Sequence, residues 1–134
     1  MAAILIVEDD YLWVTMIQDI LLDAVKDNPR HNNTFTFDSA NEAGKALLMI
    51  QTNHYDLVIT DYYMAKMDGF ELVHEIRKIK SSAELPVIVL TGVDGIDIKY
   101  EALRHGATDG FAKPLRGEEL QRFKNVVFNL ISER

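Results

Sequence analysis

The chain contains no cysteine. That excludes a disulfide scaffold, Cys-ligated zinc, an iron–sulfur cluster and a thiol nucleophile, and it suits a reducing compartment. Proline is scarce, with 3 in 134 residues, and glycine stands at 7, so no Pro/Gly-rich linker or low-complexity tract interrupts the chain. No apolar run approaches the length of a membrane span. The start, MAAILIVEDD, has neither the basic region nor the cleavage site of a signal peptide. Positive charge is in deficit, because 14 Lys plus Arg against 21 Asp plus Glu leave a net charge of −7. A phosphate backbone or an anionic membrane repels that charge, so neither nucleic acid nor membrane is an expected direct partner. What is present is 48% hydrophobic and 26% charged, the balance of a globular protein, over a length typical of one domain. The expectation is one soluble, cytoplasmic domain over residues 1–134, with no linker or second domain behind its last helix.

Two patterns alternate along the chain five times. Short apolar runs stand at Ala3–Val7, Thr34–Phe37, Leu57–Thr60, Val87–Leu90 and Gly110–Ala112. Three of them (AILIV, LVIT, VIVL) are unbroken, as in strands buried on both faces of a parallel sheet. Helical spacing fills the intervals. Leu12, Met16, Ile17, Ile20, Leu21 and Ala24 form one stripe. Ala43, Ala46, Leu47 and Ile50 form a second, behind a Ser39-x-x-Glu42 capping box. Phe70, Val73, Ile76 and Ile79 form a third. Tyr100, Leu103 and Arg104 mark a short fourth, and Leu120, Phe123, Val127, Leu130 and Ile131 the last. Between the first helix and the second strand, Lys26–Asn33 reads as a polar loop. Five β-then-α units predict an α/β fold, a doubly wound parallel sheet of five strands with five helices on its two faces. Ligands of such sheets sit at the carboxyl ends of the strands.

At those ends stand Glu8, Asp9 and Asp10 after the first strand, Asp61 after the third, Thr91-Gly92 after the fourth and Lys113-Pro114 after the fifth. Carboxylates brought this close repel one another unless a cation joins them. With only oxygen donors on offer, the cation is a hard one such as Mg²⁺. Lys113 supplies a positive charge for an arriving anion, and Thr91 supplies a short donor. A phosphate docks on such a site when one carboxylate is itself the attacking group. Asp61, alone at the end of the central strand, is the best placed nucleophile, and Glu8 and Asp9 are better metal holders. Asp10 suits a cap on the first helix.

Four motifs in order, ILIVEDD, DLVITDYYMAKMDGFELV, PVIVLTG and GATDGFAKP, make the whole chain resemble the receiver domain of bacterial response regulators, the phosphoacceptor half of two-component signalling. The resemblance implies the flavodoxin-like strand order 2-1-3-4-5. It implies that Asp61 is phosphorylated, that Asp9 binds Mg²⁺ directly and Glu8 through water, and that the Tyr63 backbone carbonyl completes the metal site. Thr91 then corresponds to the switch hydroxyl and Lys113 to the phosphate-pairing lysine, its peptide to Pro114 being cis. The implied donor is a phosphohistidine on a sensor histidine kinase or a histidine phosphotransfer protein. Output is implied at the surface of the fourth helix, fifth strand and fifth helix, by binding an unknown partner or by phosphorylation-dependent homodimerisation. Of Phe123, Val127 and Phe128 on the fifth helix, one or two are candidates for exposure in such a dimer, with a core role expected for the first two. The protein is expected to be a switch rather than an enzyme, catalysing only its own phosphorylation and slow dephosphorylation.

Departures from the pattern matter as well. Ala65 replaces the usual proline after the phosphoacceptor, freeing that loop. Gly110 stands where the family carries its switch aromatic, and Phe111, one residue later, points to the opposite side of the strand and into the core. Tyr63 and Val93 are expected to shield the acyl phosphate from water. Trp13 reads as first-helix packing, and His74 and His105 have no assigned role. These departures sustain one alternative, a receiver-like interaction module that is never phosphorylated. A flavodoxin-type cofactor binder is disfavoured because Glu8-Asp9-Asp10 would repel its phosphate. An aspartyl phosphatase is disfavoured because Tyr11 stands where the second aspartate of that class belongs.

Overall fold

Each apolar run becomes a strand, and helices cover both faces of the resulting sheet. The computed structural model describes residues 1–27 and 34–132. Its strands are β1 (Ala2–Val7), β2 (Phe35–Ala40), β3 (Leu57–Asp61), β4 (Val87–Thr91) and β5 (Asp109–Ala112). Its helices are α1 (Tyr11–Asp27), α2 (Ala43–Thr52), α3 (Gly69–Arg77), α4 (Ile98–Arg104) and α5 (Gly117–Ser132). The strands are parallel in the order β2-β1-β3-β4-β5, which is the expected doubly wound sheet. Among the described residues no helix is long and apolar enough to cross a membrane.

Period-two alternation divides the core into two layers. Ile4 and Ile6 of β1, Ile59 of β3 and Phe111 of β5 pack with Ile17 and Leu21 of α1 and Phe123 of α5. Leu5, Val7, Val58 and Val89 point the other way, onto Ala46, Ile50, Leu72, Val73 and Ala102. Phe111 is fully buried, edge-on to Phe123 at 5.3 Å, as its register on the strand predicts. Each such side chain removed from water contributes about 1.5–3 kcal/mol.

Several expectations require correction. Ser39 does not cap α2. It pairs with Ile6 in β2, which runs on through Asp38 and Ser39 to Ala40, and Glu42 is an N-cap with no side-chain hydrogen bond. Backbone pairing with β1 satisfies more groups than a capping box would. Lys26 and Asp27 belong to α1 rather than to a loop, and the rest of the polar stretch lies outside the described residues. On α1 the buried face is Val14, Ile17, Leu21 and Ala24, whereas Leu12 and Met16 face solvent. On α4 the buried residues are Ile98 and Ala102, and Tyr100, Leu103 and Arg104 are exposed. Ile79 lies beyond the end of α3 and is exposed too. Phe123 and Val127 of α5 are buried in the core as expected, and Phe128 is buried too, so none of the three is available as a dimer surface.

The seating of α4 explains its unusual face. A Cβ at Gly110 would lie 2.6 Å from the Ile98 carbonyl oxygen and 2.9 Å from the Ala102 Cβ. The first turn of α4 therefore rests on bare β5 backbone. A helix that close buries only small or short-reaching side chains and turns its larger ones outward.

Candidate functional site: an acidic cluster bridged by lysine

Parallel register sets the strand ends side by side. Val7 pairs with Thr60, Asp61 with Leu90 and Thr91 with Ala112. The residues that end or follow β1, β3, β4 and β5 consequently share one edge. Glu8 and Asp61 are almost fully buried there, and Asp9 is exposed beside them. One carboxylate oxygen from each of these three lies within 4.8 Å of the others. Lys113 reaches across from β5 and donates from Nζ to Glu8 Oε2 at 2.8 Å, and its ammonium pairs with Asp61 Oδ1 at 3.1 Å. The Lys113–Pro114 peptide is cis, as the resemblance implies.

Local chemistry orients each member. The Asp10 backbone N–H donates to Glu8 Oε1 at 3.2 Å, leaving Oε2 to the lysine. Asp10 itself caps α1, its Oδ1 accepting from Leu12 N–H at 3.0 Å. Behind Asp61 the chain is tied down by Tyr62 N–H to Leu90 O and Gly69 N–H to Tyr62 O, each at 2.7 Å. A Cβ on Gly69 would meet the Asp61 carbonyl oxygen at 2.6 Å, so glycine lets α3 start directly against the strand end. Thr91 is buried at the neighbouring strand end. Its hydroxyl accepts from Val93 N–H at 3.1 Å, outside the carboxylate–lysine cluster. Tyr63 and Val93 are both exposed.

Charge decides what this arrangement can hold. Burial pushes the Glu8 carboxyl up to about 6; Lys113 opposes the rise, and the neighbouring Asp61 carboxylate adds to it. Three carboxylates against one ammonium leave the cluster net negative and short of a cation. Its donors are all hard oxygens, and Asp9 keeps one side open to solvent. That set fits Mg²⁺ and offers nothing to a soft metal.

Two features escaped the sequence reading. Trp13 is part of the site rather than plain packing, because Lys113 Nζ lies over its ring, 4.4 Å from the centroid. The sequence gives only its place in the first turn of α1. His74 and His105 do have partners. Their Nε2 and Nδ1 atoms are 3.0 Å apart, joining α3 to α4. His105 also stacks on Phe70 at 4.4 Å, and Phe70 meets Tyr62, next to Asp61, at 4.8 Å.

A five-stranded doubly wound sheet with acidic residues and a lysine converging at its carboxyl edge defines a flavodoxin-like α/β class, and comparison with known proteins makes the class specific. The family model described as "Response regulator receiver domain" matches residues 4–123. The chain is 34% identical over 118 residues to the transcriptional regulatory protein ZraR of Klebsiella oxytoca, covering 88% of this chain and 24% of that protein. It is 31% identical over 133 residues to the two-component response regulator ORR21 of Oryza sativa subsp. indica, covering 98% of this chain and 17% of that one. It thus spans a quarter or less of the length of these curated relatives. Among solved structures, the signal receiver domain of a DNA-binding response regulator (merR) from Colwellia psychrerythraea 34H superposes with a TM-score of 0.79 at 26% identity, covering 98% of this chain and 99% of that one. A response regulator receiver domain protein from Clostridium thermocellum gives 0.77 at 26% identity, covering 99% and 96%. The chain belongs to the response regulator receiver domain family, the signalling modules of two-component systems.

Proposed function

We propose that this domain, taken as one receiver over residues 1–134, is the phosphoacceptor switch of a two-component phosphorelay. Asp61 receives a phosphoryl group from a phosphohistidine on a sensor histidine kinase or phosphotransfer protein. The observation that carries the reading is the Lys113 ammonium bridging Glu8 and Asp61 beside the open carboxylate of Asp9. In the reaction, an Asp61 carboxylate oxygen attacks phosphorus, the P–N bond breaks, and its electron pair returns to the imidazole ring of the donor. The product is an acyl phosphate. Glu8, Asp9, Asp61 and the Tyr63 carbonyl are the residues that would hold Mg²⁺, with Asp9 binding directly and Glu8 through water. That ion would supply neutralisation of the charge on the transferred group. Lys113 trades its Asp61 contact for a phosphoryl oxygen, and the Thr91 hydroxyl follows the same group. In this reading the chemistry serves switching, and turnover is limited to self-phosphorylation and slow dephosphorylation. Output through α4 is supported by the exposure of Tyr100 and Leu103 on that helix.

The test is intact mass after incubation with acetyl phosphate and Mg²⁺. A single phosphoryl adduct is expected on the wild type, and none without Mg²⁺ or in Asp61→Asn. If the wild type takes no adduct and also fails to bind beryllofluoride, the alternative stands, a receiver-like interaction module that is never phosphorylated. Gly110 and Ala65 favour that alternative, and the complete set Glu8, Asp9, Asp61 and Lys113 weighs against it.

The same reading bears on donor approach. The first turns of α1, directly behind the acidic loop, expose Tyr11, Leu12 and Met16. Apolar side chains at the margin of a charged site suit docking of a donor helix. Leu12→Glu should slow transfer from a phosphorylated histidine phosphotransfer domain roughly tenfold, since burying an exposed leucine is worth about 1.5–3 kcal/mol. Phosphorylation by acetyl phosphate, which needs no docking, should keep its wild-type rate. Equal slowing of both reactions would remove the docking role.

A further inference from the structure

Lys113 carries a compact charge on a flexible stem of four carbons, and such a group needs fixed neighbours to hold one position. Its side chain is only 9% exposed. Two of its neighbours are Glu8 Oε2 at 2.8 Å and Asp61 Oδ1 at 3.1 Å. The third is the face of Trp13, the chain's single tryptophan, with the ring centroid 4.4 Å from Nζ. Indole has the strongest attraction for a cation among the aromatic rings, and the attraction grows when water is excluded.

The three neighbours differ in one respect that matters. Glu8 and Asp61 both belong to the candidate cation cluster. Their charge is shared out anew whenever that cluster is loaded or Asp61 is modified, and their hold on the lysine changes with it. The ring of Trp13 is neutral, is anchored in α1 with its backbone N–H donating to Asp10 O at 3.0 Å, and has no part in the cluster. We propose that Trp13 is a positioning residue for Lys113, whose indole face keeps the ammonium aimed into the site while the two carboxylates exchange partners. This rests on the phosphoacceptor reading above. A residue of similar bulk without a π face would fill the same space and lose the effect.

Two measurements test the proposal. In the unliganded chain, with EDTA present, Trp13 fluorescence should differ between the wild type and Lys113→Met, because a cation over an indole face perturbs its emission. Identical spectra would overturn the contact itself. In the second measurement the rate of phosphoryl adduct formation from acetyl phosphate with Mg²⁺ is compared for the wild type, Trp13→Phe and Trp13→Leu, beside their thermal melts. Trp13→Leu should react roughly tenfold more slowly with a melting temperature close to that of the wild type, and Trp13→Phe, which keeps a π face, should recover most of the rate. A wild-type rate in Trp13→Leu, or equal slowing in both variants, would overturn the positioning role while leaving the phosphoacceptor reading intact. No adduct on the wild type would overturn both.

Discussion

Gly110→Tyr, which installs the aromatic that the family resemblance implies at this position, should destabilise the domain severely instead of creating a switch. Even a lone Cβ there would stand 2.6 Å from the Ile98 carbonyl oxygen and 2.9 Å from the Ala102 Cβ. The nearest obstacle is helix backbone, which cannot rotate aside as the end of a side chain can. Accommodation requires lifting α4 from β5, exposing Ile98 and Ala102. Forcing one or two extra methylenes into a packed interior costs about 1–3 kcal/mol, and a phenol ring exceeds that insertion. A loss of about 3 kcal/mol or more is expected, which at this chain length lowers the melting temperature by roughly 10 °C. Gly110→Ala should already show part of the loss. Thermal melts of the two variants beside the wild type provide the check, and a wild-type melt for Gly110→Ala would mean that α4 is not seated on bare β5 backbone. The consequence for signalling is direct. Any coupling between Asp61 and α4 in this chain works without a ring at position 110, and the ring contacts Tyr62–Phe70–His105 connect the residue after Asp61 to the C-terminal end of α4.

Lys113→Met should destabilise the fold about as strongly when divalent cations are absent. The lysine is the counter-charge of Glu8 and Asp61, and the side chains of both are at least nine-tenths buried. Breaking a buried ion pair by removing one partner costs about 3–5 kcal/mol, because an uncompensated charge is left behind. The open side of the cluster at Asp9 admits water and moderates that cost, so a loss of about 2–3 kcal/mol is expected. Mg²⁺ at millimolar concentration should recover much of the loss, since binding to the folded state alone stabilises it. Asp61→Asn acts in the opposite direction. It removes one of two carboxylates competing for a single ammonium and should raise the urea midpoint in EDTA. Urea unfolding of the two single variants and the double variant, with and without Mg²⁺, measures these effects. If Lys113→Met unfolds at the wild-type midpoint in EDTA, the lysine is not balancing buried charge.

The elements legible in the sequence are those fixed by local interactions. Unbroken runs such as AILIV and VIVL announce strands covered on both sides, because only a two-faced core tolerates four or five successive buried positions. Strand ends collect the acidic residues, Thr91 and Lys113 as the alternation of elements requires, and the side of β5 on which Phe111 lies follows from a period of two. Helix faces were less legible. The apolar stripe of α1 reads as Leu12, Met16, Ile17, Ile20, Leu21 and Ala24; Ile17, Leu21 and Ala24 are buried as that spacing requires, but Val14 joins them while Leu12 and Met16 face solvent. Periodicity gives the spacing of such a stripe, and the angle at which the helix lies on its sheet decides which arc is covered.

The same division runs through the site. Fold class, strand order by resemblance, the acidic cluster and its lysine were present in residue types and spacing, because backbone pairing and strand twist leave few ways to connect five such units. Ser39 joining a strand, Phe128 turning inward beside Phe123 and Val127, Gly110 bearing a helix and Trp13 beneath Lys113 were not. Each of these depends on distances between segments as much as 100 residues apart in sequence. Close packing sets such distances to within a few tenths of an ångström, a precision that no pattern along the chain encodes.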